Sequence, residues 1–458
     1  MDIMTLYSLQ PNPYPNVSEL KLQFIGAPDN SLVNATELVR KLPGLKNLHL
    51  EDTLPLVIRG LLWNDILLAC PPLDSLTLNM ILLREPVAAI LPHLQSLVTF
   101  KVYESQIGRS GNIKSRMLNL TLHRSSLPFS QQLEWATSCP NLRSLYWDST
   151  GTSDTEMDIC REDLLNQDWP GLNSISLHNS TTSLHDLIVA LMLKASGSRL
   201  GTPGAQLENV TVYGTSFWFR SLAGLELHFS TLAELNLYKC ENLRGWMGQY
   251  IMENCPCLVS FRGAIIDAHD LIDYRWSNLK RDEQEAADTK ADDALIMAEE
   301  AQGEIAQAKA IRHLYEARGL HNRGKWMCKD LQHLSFALLF PKDDSIGWDK
   351  PALRRVGELV NLRYLEFWMP DNRREDSRAP HLILASRGLQ ELAPLVQLGT
   401  FLFHGTDQIL HEEDIRWMCT NWTHLRKITA DLHPDPVQCD KLQKLFKLPV
   451  TFVDVEVQ

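Results

Sequence analysis

The 458-residue sequence has little that would read as an export leader. It opens MDIMTLYSLQPNPYPNV, with no basic segment and no long apolar run, so no secretory signal is expected. No stretch is apolar enough over a sufficient length to span a bilayer; LLWNDILLAC is too short and too interrupted. Positive charge is in deficit, with 44 Lys and Arg against 56 Asp and Glu, a formal net charge of −12 and no basic cluster. A surface that tracks phosphates needs such a cluster, so no nucleic-acid partner is expected. The nine cysteines show no paired zinc-like spacing: Cys255 and Cys257 stand close together, and no second pair matches them. Without an export signal they read as free thiols of a cytoplasmic or nuclear protein. The contrary signal is a set of six Asn-x-Ser/Thr sequons at Asn16, Asn34, Asn119, Asn179, Asn209 and Asn421. Asn119 and Asn209 fall in expected strands of a packed sheet, where a glycan would be awkward.

Catalytic patterns are equally scarce. Gly319, Gly324 and Lys325 match the start of a phosphate-binding loop, but Trp326 stands where Ser or Thr should hold magnesium, and a helix rather than a strand precedes. His411-Glu412-Glu413-Asp414 lacks the second histidine of a metalloprotease helix and reads as acidic residues opening the helix that carries Ile415 and Trp417. No Ser or Cys is paired with a histidine and an orienting acid in a defensible pattern. No enzyme, cofactor or metal is expected.

What the chain does have is a repeat. The phrase apolar-x-x-apolar-x-apolar recurs about fourteen times. It appears as Val17/Leu20/Leu22, Leu45/Leu48/Leu50, Leu73/Leu76/Leu78, Leu94/Leu97/Thr99, Met117/Leu120/Leu122, Leu142/Leu145/Trp147 and Leu172/Ile175/Leu177. It continues as Leu207/Val210/Val212, Leu232/Leu235/Leu237, Leu258/Phe261/Gly263, Leu331/Leu334/Phe336, Leu362/Leu365/Phe367, Leu395/Leu398/Thr400 and Leu425/Ile428/Ala430. With one exception, successive starts lie 21 to 35 residues apart. The last two apolar positions are two apart, the spacing of one strand face, so they point inward while the first lies on the entering turn. One such strand cannot bury its face alone; stacked neighbours can. Segments of helical spacing lie between phrases, at 130–139, 184–195 and 245–255. The expected fold is therefore α/β: a leucine-rich-repeat solenoid, a horseshoe with a parallel concave sheet and convex helices.

Two further positions fit this reading. A small polar side chain often follows the phrase by three residues, as at Thr53, Ser125, Thr150, Ser180, Thr215 and Cys240. Turned inward, such a group can satisfy backbone groups of the adjacent coil. Helices should end at Leu42-Pro43, Cys70-Pro71, Leu91-Pro92, Cys139-Pro140, Trp169-Pro170 and Cys255-Pro256, because proline lacks a donor. Cys70, Cys139, Cys240 and Cys255 occupy repeat positions and should be structural thiols. The stretches CPPLDSLTL (70–78), CPNLRSLYW (139–147), CPCLVSF (255–261) and LNLYKCENL (235–243) resemble the cysteine-containing repeats of F-box/leucine-rich-repeat proteins, especially the fungal sets. That resemblance implies substrate capture by the repeats of a ubiquitin-ligase adaptor. No F-box is recognisable: the sixteen residues before the first phrase are too few for its three helices. A ligase-scaffold contact is thus expected only if an F-box is supplied.

The exception to the spacing runs from Leu258 to Leu331. Its centre, 278–319, is rich in Ala, Glu, Lys and Gln and poor in apolar residues, and should form a solvated helix or helical hairpin, or a docking arm. The expected organisation is a cap at 1–16, repeats at 17–270, the charged insertion at 271–324, and repeats with a C-terminal cap at 325–458.

Residues alternating with the core positions should project from the concave face. They are Asn47 and His49; Thr121 and His123; Ser144, Tyr146 and Asp148; Ser176 and His178; Thr211 and Tyr213; Asn236 and Tyr238; Glu366 and Trp368. Amphipathic rings are frequent there, and such rings anchor protein interfaces. The same rings could instead stack on one another and stabilise the sheet. The candidate protein-binding residues are His49, His123, Tyr146, His178, Tyr213, Tyr238, Glu366 and Trp368, with Trp368 in a second contact or at the patch's edge. A scaffold or inhibitor without a ubiquitin role, and a regulator of an enzyme such as a GTPase activator, remain alternative readings.

Overall fold

The structure, a computed structural model, describes residues 13–24, 29–52, 60–81, 83, 93, 95–105, 115–125, 129–149, 164, 167, 169–179, 186–196, 207–240, 243, 245–271, 326–341, 349–368, 377–378, 382, 388–403, 409–430 and 432–446. It divides into two compact units, Met1–Thr215 and Ser216–Gln458. Apart from Leu271, the insertion at 271–324 lies outside the described residues, as do Gly319, Gly324 and Lys325 and most of the expected cap at 1–16.

The first unit carries β1 (Glu19–Phe24), β2 (Asn47–Asp52), β3 (Ser75–Asn79), β4 (Thr99–Tyr103), β5 (Asn119–Ser125), β6 (Ser144–Ser149), β7 (Ser174–Asn179) and β8 (Asn209–Tyr213). Each pairs in parallel with the next. Between strands run helices Asp29–Arg40, Gly60–Ala69, Phe129–Thr137 and Asp186–Ala195. The second unit continues with β9 (Glu234–Asn236), β10 (Ser260–Asp267), β11 (His333–Pro341), β12 (Tyr364–Phe367), β13 (Ser377–Arg378), β14 (Thr400–Phe403) and β15 (Lys427–Ala430). Here β9, β10, β11, β12, β14 and β15 form the parallel order, and β13 pairs antiparallel with the end of β11. Helices include Phe219–Glu226, Gly245–Asn254, Asp349–Gly357, Glu412–Asn421 and Pro436–Gln443. This is an α/β leucine-rich-repeat solenoid, and each recurring phrase supplies one parallel strand.

The register explains the phrase. Leu20, Leu48, Leu76, Phe100, Leu120, Leu145, Ile175 and Val210 form one cross-strand row, and Leu22, Leu50, Leu78, Val102, Leu122, Trp147, Leu177 and Val212 form the next. Nearly every member is buried, and each buried side chain of this size contributes about 1.5–3 kcal/mol of transfer free energy. The residue that opens the phrase closes a turn: Leu45, Leu142, Leu172, Leu258, Leu362 and Leu425 donate their N–H to the carbonyl three residues earlier. That earlier residue (Leu42, Cys139, Trp169, Cys255, Leu359 or Trp422) is itself fully or almost fully buried.

Three phrases are corrected by the register. Leu94/Leu97/Thr99 is Leu97/Phe100/Val102, because Phe100 aligns with Leu76 and Val102 with Leu78. Leu395/Leu398/Thr400 is likewise Leu398/Phe401/Phe403. In Leu258/Phe261/Gly263 the last core position passes to Ala264, which aligns with Phe336 across a bulge. Gly263 adopts φ +106, and a Cβ there would meet the Tyr238 backbone nitrogen at 2.3 Å, so only glycine fits.

The inward polar position does what was expected of it, but at Ser105. Its buried hydroxyl accepts from Ile81 N–H of the preceding coil at 2.8 Å and donates to the Tyr103 carbonyl at 2.7 Å. Thr215 is also fully buried. Ser125 ends β5 and Cys240 is half-buried, while Thr53, Thr150 and Ser180 lie outside the described residues. The eight described cysteines are free thiols. Burial pushes Cys70, Cys139 and Cys328 up to about 12, and Cys255 is also raised by burial. Cys70 and Cys139 donate back to the carbonyls of Ile66 and Trp135, one turn earlier in their helices, at 3.2 Å. Among the described residues, no helix is long and apolar enough to cross a membrane.

Two outcomes follow from this packing. Ser105→Ala orphans the Ile81 N–H and should cost about 1–3 kcal/mol, read from the shift in urea unfolding. In alkylation by iodoacetamide under native conditions, exposed Cys257 should react well before Cys70, Cys139, Cys255 and Cys328. Equal rates for all five would contradict their assignment as core thiols.

Candidate functional site

On the sheet face opposite the helices, the first unit presents two rows of side chains. One runs Thr77, Lys101, Thr121, Tyr146, Ser176 and Thr211. The other holds Asn79, Tyr103 and His123, then Asp148, His178 and Tyr213. Between them the register of β5 against β6 slips: Leu122 faces Trp147 and Ser125 faces Ser149, so His123 and Arg124 together oppose Asp148. Arg124 absorbs the extra residue at φ +45.

The slip assembles a ring ladder. Tyr103 meets His123 edge-on at 5.8 Å between centroids, and His123 meets Tyr146 edge-on at 5.5 Å. Tyr146 stacks on His178 at 4.7 Å and 28°, and His178 stacks on Tyr213 at 5.4 Å and 22°. Tyr146 and Tyr213 thus come from different rows, with the His178 ring between them. The two readings of these rings merge: stacking at about 0.5–1.5 kcal/mol per pair holds them upright, and Tyr146, His178 and Tyr213 remain half-exposed.

A carboxylate lies beneath the ladder. Asp148 was expected to project into solvent, yet it is only 3% exposed. Its Oδ2 lies 3.2 Å from His123 Nδ1, and its Oδ1 has no hydrogen-bond partner. The Tyr146 hydroxyl is 3.1 Å from the same Nδ1. One nitrogen cannot donate to a carboxylate and accept from a phenol at once. The contact with the buried acid therefore takes a hydrogen on Nδ1, and the phenol cannot donate to the same nitrogen. Burial and the nearby Asp148 charge push the Tyr146 phenol up to about 12. Burial lowers the pKa of His178, partly opposed by Asp148, and Ser176 Oγ sits 2.9 Å from its Nε2. Among the described residues no three His, Cys, Asp or Glu side chains converge as metal ligands.

His49 occupies the other end of the same face, in a shallow groove of about 390 Å³ that it lines with Thr77, Asn79, Lys101, Tyr103, Glu104 and His123. Burial and the Lys21 ammonium lower the pKa of this imidazole, partly opposed by Glu51, which lies 3.7 Å from its Nε2. Lys101 and Tyr103 were missing from the expected surface. Reading their repeat three residues too early concealed them, although the pattern Leu97/Phe100/Val102 carries the signal.

The second unit has its own cluster. Trp368 packs edge-on against Tyr238 at 5.5 Å, so the two are direct neighbours although 272–325 intervenes in sequence. The exposed Arg262 guanidinium lies over the Tyr238 ring at 4.6 Å, a cation–π contact absent from the expected surface. Glu366 does not project: it is 7% exposed and accepts from the Ser335 hydroxyl at 2.6 Å and the Tyr364 hydroxyl at 2.9 Å. His333 and Tyr364, also unanticipated, stack at 5.9 Å. The acidic run at 411–414 is a helix start, as expected, with Asp414 Oδ2 accepting from His411 N–H at 2.7 Å.

No family model matches the chain, and no curated protein matches its sequence.

Burial lowers the pKa values of His49, His93 and His178 below the usual histidine value. In the unfolded chain these imidazoles take up protons near pH 6.5, while in the folded chain they resist until lower pH. Their contribution to stability is therefore complete above that pH and is lost on acidification. Urea midpoints should be flat above about pH 7 and fall toward pH 5.5. His178→Gln should make that fall shallower; an unchanged slope would contradict the assignment.

Proposed function

We propose that this protein is a non-enzymatic interaction module that binds a partner protein on the concave sheet face of its first unit. The observation that carries this reading is the ladder Tyr103–His123–Tyr146–His178–Tyr213, five half-exposed rings on five successive strands. Adjacent parallel strands lie about 4.8 Å apart, so the ladder spans on the order of 20 Å, the dimension of an interface centre. Rings held upright by their neighbours lose little conformational entropy on contact, which favours them as anchors.

Chemistry on the same face is poorly supported. Ser176 and His178 are within hydrogen-bond distance, but Asp148 is engaged with His123 instead of orienting His178. In β6 and β7 the described strand N–H groups pair with neighbouring coils and are not aimed at Ser176. The finer form of the proposal is substrate capture for a ubiquitin ligase. Its support is the resemblance of the Cys139-Pro140 and Cys255-Pro256 repeats to F-box/leucine-rich-repeat proteins, with the ligase contact supplied by an F-box.

Affinity purification from the native cell with quantitative mass spectrometry tests both levels. Tyr146→Ala or Tyr213→Ala should weaken capture of the main partner by about 2 kcal/mol, roughly thirtyfold, with the circular dichroism of the fold retained. Parental capture by both variants, with loss on substitution of the convex helices, would overturn the concave-face reading. A ubiquitin-ligase scaffold subunit among the captured proteins is the expected mark of the finer form; captured partners without one favour a scaffold or inhibitor.

A further inference from the structure

We propose that the groove at the His49 end of the first unit's sheet receives an acidic side chain, Asp or Glu, of the bound protein, seated against the Lys101 ammonium. This rests on the concave-face reading and names the chemistry of one of its contacts. The argument is charge accounting within the groove. Glu51 beside the groove is held by Lys21 at 3.1 Å, and Glu104 in its lining by Arg124 at 3.3 Å. Each of these two acids therefore has a cationic partner. Lys101 is the cation left over: it is half-buried among the lining residues and, among the described residues, has no ion pair.

Its surroundings suit a carboxylate. Across β3 the Thr77 hydroxyl and Asn79 amide line the same groove, and both can donate hydrogen bonds. The His49 imidazole stands beyond Thr77 in the same row, the His123 imidazole lies on the opposite flanking strand, and Tyr103 forms the wall from which the ring ladder begins. An extended segment lying along the rings would thus carry its acid into the groove at one end of the ladder. A single ammonium matches a single negative charge. A phosphate dianion fits less well, because the nearby guanidinium of Arg124 is spent on Glu104, and Glu51 and Glu104 would repel the second charge.

The experiment selects peptides from a random display library on the immobilised full chain. The tightest binder is then synthesised in three forms: as selected, with its Asp or Glu replaced by Asn or Gln, and with phosphoserine at that position. Each is titrated against the parent chain, Lys101→Gln, Lys101→Arg and Tyr213→Ala. The expected result is an acidic peptide that binds the parent about tenfold more tightly than its amide form. Lys101→Gln should erase that difference and Lys101→Arg should keep most of it. A difference that survives Lys101→Gln, or a binder without an acidic residue, overturns the proposal. A phosphoserine form binding more than about tenfold tighter than the carboxylate overturns the choice of carboxylate. Sensitivity to Tyr213→Ala without sensitivity to Lys101→Gln leaves the concave-face reading standing and removes only this one. Indifference to both substitutions, or a library that yields no binder, counts against both.

Discussion

One backbone contact recurs from coil to coil, and the rest of the molecule depends on it. At most of the parallel strand entries two successive N–H groups converge on one carbonyl of the preceding coil. Lys46 and Asn47 point at Ser18, Asp74 and Ser75 at Lys46, Val98 and Thr99 at Asp74, Leu118 and Asn119 at Val98. The second unit repeats it, from Val259 and Ser260 at Ala233 to Arg426 and Lys427 at Gly399. The contact needs no particular side chain, so residue types vary around it. It fixes register, and register decides which side chains are buried and which face outward. The aromatic ladder is a consequence of this constraint and of a local exception to it, the slip at Arg124.

That exception shows how electrostatics and geometry share the work. Without the extra residue, His123 alone would oppose Asp148. With it, the imidazole turns onto the carboxylate and the Tyr146 ring at once. A buried carboxylate is costly to desolvate, and here it has a charge-assisted partner on one oxygen and none on the other. The cost is borne where it orients three rings. The second unit solves a related problem differently: Glu366 is buried with two hydroxyl donors, and the exposed surface is left to Tyr238, Arg262 and Trp368.

How much of this was legible in the sequence depends on whether a signal was local. The solenoid was, because burial of alternate residues at Leu48/Leu50 or Leu145/Trp147 leaves a direct imprint in the letters. Two repeats were misread for a physical reason. The residue three before the phrase, such as Leu395, is buried in the entering turn and imitates the phrase's own first member. A Thr two places beyond the next leucine then passes for the phrase's last inward residue, although it only opens the strand. The shift hid Lys101 and Tyr103, and with them the groove. The burial of Asp148 and Glu366 was not legible, because each packs against a partner 25 or more residues away, His123 for Asp148 and Ser335 for Glu366. The contact between Tyr238 and Trp368 was hidden for the same reason.

Just beyond the outward-facing row, four residues adopt left-handed backbone angles: Met80, Glu104, Arg124 and Lys239, with Gly214 in the equivalent place. For any residue but glycine this geometry costs about 1 kcal/mol, and the cost is nearly indifferent to what the side chain is. A thioether, a carboxylate, a guanidinium, an ammonium and a bare hydrogen all occupy the same bend. Within each unit the bend fixes the backbone and leaves the letter open, so the charge carried there can be exchanged with little effect on the coil that holds it.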